Sequence, residues 1–464
     1  MSSLNKVTFK KCFVTPDQDV SFQGDQNEDN NNNGKGESIA SKIIKMDYYE
    51  DILSPSITCY LGISDTTNML SRIPIRGYER VDLTVGTDNG DFIFATQDEK
   101  DNPLYVTGIK DVNKSEQQEI FTICLSSLQN LMNETVRCQQ RYKKAEISSH
   151  IETFLKDVLK VPEDRYEIEK SITQYEFIGN SRKPFYLATW LCPKAQPAKT
   201  GKADGTSGFF FYEDYDGFKF RSVDNIIASS ENVDPNLLIS PGGDQKPAIE
   251  TYTFSTAPET GGDNDHRIIH HYIDKTTNIQ KNLRVGLYSN LTYFFNPNDW
   301  STNVIHHVLK DELDRDGMST AGDQIPIPAG DITSFASRLL VRVGDKGMLG
   351  PSLDEKNSDG EVEGSGRSDA DMSRAFSRYS LLFTQSLNIT VPCNIRLRAG
   401  GVIKVVVPES GPTDSKGDTK ADLKGVDQNL SGFYIIRSVR HHFELKEGSN
   451  VTALNLIRDS FGLN

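Results

Sequence analysis

Three groups of side chains in this 464-residue chain have types and spacing that chemistry could use. His266-Arg-Ile-Ile-His270-His271 sets two histidines four residues apart, which on a helix would share one face and could ligate a metal. A zinc-protease helix also needs a glutamate after the first histidine as general base, and Arg267 stands there. Glu213, Asp214 and Asp216 cluster at a predicted hairpin tip. A glycosidase needs two carboxyls held across a cleft, whereas acids at a tip favour the bend itself. The neighbouring pairs His306-His307 and His441-His442 point to opposite faces if extended, so neither pair can readily chelate one ion.

The motifs that would support other chemistries are missing. The sequence has no Gly-x-x-x-x-Gly-Lys-Ser/Thr loop, no Gly-x-Ser-x-Gly elbow and no dinucleotide fingerprint. Six cysteines, Cys12, Cys59, Cys124, Cys138, Cys192 and Cys393, are scattered singly, which fits buried reduced thiols better than a disulfide framework or zinc site. We therefore expect no enzyme, and assign no catalytic, metal or cofactor-binding residue. Lys plus Arg total 51 against 65 Asp plus Glu, a formal charge of −14, which argues against gripping a phosphate backbone. No run approaches 18 apolar residues, and Met1 to Lys6 lacks a signal-peptide pattern, so a soluble protein with no stable membrane insertion is expected.

The elements that would position these residues are mostly strands. Val7-region strand residues (6–14) are followed by an acidic, Asn-rich loop at 17–37, then by strand signals at 57–63, 78–85, 91–96, 105–112 and 119–126. Ile147, Ile151, Phe154, Leu155, Val158 and Leu159 form the stripe of an amphipathic helix over 145–160, which Pro162 ends. Phe209 to Glu213 and Phe218 to Phe220, joined through Asp216-Gly217, read as a hairpin. Residues 266–279 read as a possible helix and 286–296 as an aromatic strand. A helix near 371–385 separates polar loops near 347–368 and 410–425. The chain ends in an alternating pair of strands, 432–443 and 451–458, across a short polar turn.

This gives a mainly β chain with an α+β insert, in three domains: 1–144 as a first antiparallel barrel, 145–280 as a mixed α/β middle domain, and 281–464 as a second barrel with its own helix. Ser56-Ile-Thr-Cys-Tyr-Leu-Gly-Ile-Ser-Asp-Thr-Thr-Asn68, Ile73-Pro-Ile-Arg-Gly-Tyr-Glu79, the Arg374 to Pro392 step, Gly432 to Phe443 and Leu454 to Gly462 carry a resemblance. They resemble the central baseplate hub protein of T-even-type contractile-tailed phages, in its marine and cyanophage-like version.

The resemblance implies two tail-tube-like β-barrels in one polypeptide and a homotrimer closing a ring of six. Such a ring adapts a sixfold tail tube or its initiator, on one face, to a threefold membrane-puncturing spike on the other, among neighbouring baseplate proteins. DNA would pass through without specific binding, and the protein, made in the host cytoplasm, would reside in the central baseplate of the virion. Candidate intersubunit positions on edge strands are Ile75, Gly77 and Glu79 in the first barrel and Arg437 and Arg440 in the second. Two alternatives stand beside this reading: a spike-associated cell-wall hydrolase, and a hub component of a phage-tail-like secretion device.

Overall fold

A computed structural model of the protein describes residues 7–15, 37–72, 75–87, 90–97, 100–197, 206–231, 249–254, 266–275, 278–297, 300–313, 320–322, 327, 333, 335–343, 368–409, 426–445 and 450–461. Of the expected loops at 17–37, 347–368 and 410–425, all but Glu37 and Ser368 lie outside these residues; Glu37 is in a short strand and Ser368 opens a helix. The chain is mainly β and builds several sheets, the largest of which runs through both ends of the sequence.

Its first half comprises β1 (Val7–Thr15), β2 (Ile43–Asp51), β3 (Thr58–Asp65), β4 (Arg80–Thr87), β5 (Leu104–Lys114) and β6 (Glu119–Ser126). All pair antiparallel in the order β2-β3-β6-β5-β4-β1. The sheet does not close by ladder alone. From β1 the path returns to β2 through the two-residue strand Glu37–Ser38 and a 3-10 turn, Ala40–Lys42, whose preceding Ile39 N–H donates to Cys12 O at 2.8 Å. Alternate residues of these strands, among them Met46, Tyr48, Leu61, Ile63, Val81, Leu83, Phe121 and Ile123, point inward and form one core. Each such side chain, withdrawn from water, contributes roughly 1.5–3 kcal/mol of hydrophobic stabilisation.

The second half contains β7 (Thr251–Phe254), β8 (Arg267–Ile268), β9 (His270–Lys275), β10 (Gln385–Pro392), β11 (Val402–Val406), β12 (Gly432–Glu444) and β13 (Val451–Arg458). The ladders run β8-β7-β11-β12-β13-β10-β9. Here the return is made by residues 267–275, with Ile269 N–H donating to Thr390 O at 2.7 Å between β8 and β9. Two corrections follow. The helix expected over 266–279 is extended chain through Lys275, and the helix Ile279–Val285 begins only after it. The division expected at 280/281 cuts through one sheet, because β7, β8 and β9 are built into the same sheet as the C-terminal strands.

The thirteen-residue β12 joins the two halves. Gly432 to Ile435 pair with β11, Ser438 to Glu444 pair with β2, and β13 runs along the other edge. A register shift between Ile436 and Ser438 changes which residues face inward: Tyr434 and Ile436 before it, Val439, His441 and Phe443 after it. Tyr434, Ile436 and Val439 thus fill the second core while Phe443 fills the first. A bulge of this kind lets one strand bend from one packing surface to another.

Between the halves lies the mixed segment. Ile147–Thr153 is helical and continues as a π turn, Phe154–Val158, whose end is marked by Leu159 N–H donating to Phe154 O at 3.0 Å. Pro184 opens the helix Pro184–Leu191, where its missing N–H costs nothing. The hairpin Phe209–Asp214/Gly217–Ser222 forms as the sequence predicts, and Tyr166–Ile168 adds parallel to its second strand. A separate three-stranded sheet, Ser289–Phe295 flanked by Thr302–Val308 and by Arg338–Val343, rests on the helix Ser368–Leu382.

Candidate functional site: the buried junction

Of the three acids singled out at the hairpin tip, Glu213 and Asp214 lie inside the molecule, while the Asp216 side chain is 44% exposed. Glu213 is 1% exposed, and its Oε2 accepts from Ile57 N–H at 3.2 Å and Ser127 Oγ at 2.7 Å, both in the first half. Asp214 Oδ1 accepts from the N–H groups of Asp216, at 2.8 Å, and Gly217, at 3.0 Å, which is the bend-favouring role expected for it. Gly217 has φ +130°, and a Cβ there would lie 2.1 Å from Arg165 O. Between them Tyr215 packs its ring on Phe92, centroids 4.6 Å apart, and its N–H donates to Glu50 Oε1 at 2.9 Å.

Glu50 on β2 is the hub of this junction. It also accepts from Tyr48 Oη at 3.0 Å and, through Oε2, from Ala399 N–H at 2.8 Å, so one carboxyl joins the first half, the hairpin and the second half. The Arg398 guanidinium lies 4.6 Å from the Tyr215 ring centroid, and Arg165 donates to Tyr215 O at 2.9 Å and Asn102 Oδ1 at 2.8 Å. Burial pushes Glu213 and Asp214 up to about 7 and raises Glu50 as well, with Arg398 opposing the rise at Glu50. Nearby, burial and then Arg398 hold the His441 imidazole down to about 3, while its ring nitrogens contact Thr452 Oγ1 and Leu397 O. The carboxyls face backbone donors and buried side chains, a geometry for clamping rather than for two acids across a cleft.

A second buried cluster ties the C-terminus to the insert. Arg378 on the Ser368–Leu382 helix pairs with Asp459 at 2.8 Å and Asp224 at 3.1 Å, all three nearly fully buried. Thr206 donates twice to Asp224 Oδ2, and Ala321 N–H donates to Asp459 Oδ1 at 3.0 Å.

The other sequence candidates are dispersed. His266, His270 and His271 sit in and beside extended chain, with His271 against Phe254, and among the described residues no group of three or more His, Cys, Asp or Glu could hold a metal. His306 Nε2 contacts Ser289 Oγ at 2.8 Å and His442 Nδ1 contacts Asp47 Oδ1 at 2.7 Å. All six cysteines are free, and all but Cys124 are buried.

The placement of the intersubunit candidates on edge strands is corrected by the structure. Ile75, Gly77 and Glu79 belong to the loop before β4: Ile75 packs against the first core, and the buried Glu79 carboxylate accepts from Arg76 N–H at 2.6 Å and Gly77 N–H at 2.9 Å. Arg437 and Arg440 lie on β12, which is interior to the sheet. Arg440 pairs with Asp47 at 2.8 Å and covers Tyr49, while Arg437 approaches Asp51 at 3.7 Å. Arg440, Tyr49, His270, Tyr272, Asn388 and Asn455 line a shallow groove of about 320 Å³.

Sequence reasoning did not find Glu50, Arg378 or Arg398. Glu50 had a signal: it shares the alternate phase of Met46, Tyr48 and Ile52, all buried. Arg378 likewise stands one helical turn from the buried Leu381 and Leu382.

No protein-family model matches the sequence, and no curated protein matches it significantly. Among solved structures the chain is similar to a tail protein from Neisseria meningitidis MC58, at 11% identity and a TM-score of 0.50, over 98% of each chain. It is also similar to the 43 kDa tail protein of prophage MuSo2 from Shewanella oneidensis, at 9% identity and a TM-score of 0.49, over 97% of this chain and 98% of that one. A third is E. coli c3393, described as a type VI secretion component similar in structure to the T4 tail proteins gp27 and gp5. There the identity is 10% and the TM-score 0.39, over 91% of this chain and 76% of that one. The first of these likenesses shows that the chain shares the fold of that protein along nearly its whole length.

Proposed function

We propose that the protein is a non-enzymatic structural subunit of a contractile phage tail, in the central baseplate of the virion. Three copies would close a ring in which each chain supplies two tube-like units, its wholly antiparallel first half and its second half, where Thr251–Phe254 pairs parallel with both of its neighbours. The observation that carries this reading is that both halves return on themselves through a short link and are locked into one body by β12 and Glu50. A trimer of such chains presents six similar β units, which matches a sixfold tube on one face while keeping threefold symmetry for a spike on the other. The ring would surround the path of the DNA, and a net negative protein is compatible with passage without adhesion. The outward positions Arg437 and Arg440, with Ile75, Gly77 and Glu79 shaping the loop before β4, are the proposed sites of subunit contact.

A hub in a tail-like secretion device would meet the same physical demands, and genomic setting separates the two. The hydrolase reading has less support, because Glu213 and Asp214 are already committed to internal donors. Light scattering on the purified full chain, alone and with the spike protein encoded nearby, tests the proposal. A mass of three chains, alone or once the spike is added, is expected. A monomer under both conditions overturns it.

A further inference from the structure

Tyr78, in the loop before β4, is held in a backbone conformation that its own side chain disfavours. Its φ is +75°, directly after Gly77 at +105°. Glycine takes such angles freely, whereas a bulky residue there costs roughly 1–3 kcal/mol and stays only where the surroundings enforce it. Here they do. The buried Glu79 carboxylate takes the N–H groups of Arg76 and Gly77. Tyr78 N–H donates to Val106 O at 2.8 Å, and Val106 N–H donates to Glu79 O at 2.9 Å. A carboxylate and one residue of β5 thus fix the loop on both sides of the strained position.

The side chains that this rigidity presents take no part in the core. Ile75 packs inward, but Tyr78 is 49% exposed and rests on Tyr105 of β5, with ring centroids 5.6 Å apart. The Arg76 side chain is exposed and, among the described residues, forms no ion pair. Arg80 pairs with Asp82 at 3.1 Å, and the Glu79 carboxylate is turned inward, so the charge that the loop offers to a partner is positive. Tyrosine and arginine are the side chains that most often carry binding energy where proteins meet. Folding alone would be served as well by glycine at position 78, so a strained aromatic held rigidly outward points to a contact.

Charge selects the partner. The chain carries 65 acidic residues against 51 basic ones, so a cationic loop finds its complement on another copy of the same chain. A contact between two unlike patches is head-to-tail, the kind that generates a ring when its rotation closes. We infer that Tyr78, with Arg76 beside it, anchors one copy of the chain on an acidic surface of the next, a role that rests on the trimeric ring. Gly77 and Glu79 are then positioning residues, which hold the loop without touching the neighbour.

Light scattering of the full chain over a range of concentrations tests this, with the spike protein added where trimers need it. Tyr78→Gly and Arg76→Glu should each weaken trimer formation about tenfold or more. On chains diluted until they are monomeric, Arg76→Glu should leave the melting temperature unchanged. Tyr78→Gly, relieved of strain, should melt at or above the native temperature. Native-like trimers in either variant overturn the inference and leave the ring standing. A lower melting temperature of diluted Tyr78→Gly makes Tyr78 a structural residue and overturns the inference too. A native chain that stays monomeric even with the spike removes the ring and the inference together.

Discussion

Arg378 and Asp459 pair at 2.8 Å with both side chains wholly buried, and the same guanidinium reaches Asp224 at 3.1 Å. One cation thereby holds the C-terminal segment and the insert to a single helix. Arg378→Met should remove about 3–5 kcal/mol of stability, because two buried carboxylates lose their counter-charge at once. Urea unfolding of the native and variant chains measures this, and a loss under about 1 kcal/mol would show that the cluster is not holding the parts together.

The contribution of Glu213 and Asp214 to stability should fall as pH rises from about 5 to 8. Glu213 and Asp214 titrate near 7 in the folded chain, above the ordinary carboxylate range, so the folded state binds more protons than the unfolded state through that window. Their contribution is present in full below the unfolded carboxylate range and is lost as pH rises through the folded value. For Glu213 the change amounts to as much as about 3 kcal/mol. Glu213→Gln keeps an acceptor for Ile57 and Ser127 but cannot titrate, so melting temperatures followed from pH 5 to 8 should vary less in this variant than in the native chain.

Gly217→Ala should destabilise by more than about 1 kcal/mol, since its φ of +130° disfavours any Cβ and the added atom would meet the Arg165 carbonyl. Thermal melts give the loss. Because the tip also supplies Tyr215 to Glu50, the variant should become more susceptible to proteolysis in the 209–222 hairpin, which mass spectrometry of limited digests would locate.

Arg440→Ala separates fold from assembly. Its pair with Asp47 is 45% exposed on the arginine side, so its loss should cost the single chain under about 1 kcal/mol. If β12 contributes to subunit contact, the trimeric fraction should nevertheless drop, as it does when an interfacial arginine is truncated. Sedimentation beside a thermal melt distinguishes the two effects.

The elements with strong local periodicity were legible from sequence: the terminal strands of β12 and β13, the 209–222 hairpin and the helices beginning at Ile147 and Ser368. What was lost depended on distant partners. His266 to Lys275 carries helical spacing and isoleucines in equal measure, and its extended form is set by pairing with 253–254 on one side and 386–390 on the other. The clamp roles of Glu213 and Glu50 were hidden for the same reason, because Ile57, Ser127 and Ala399 lie far away in the chain. Acids at a hairpin tip look exposed until the surface they enter is known.

Electron microscopy of the purified complex with the spike protein is the most direct test of the central claim. The account predicts a closed ring with threefold symmetry that shows six similar β units around its opening, two from each chain. A ring with only three units facing the opening, or single unassociated chains, would contradict it.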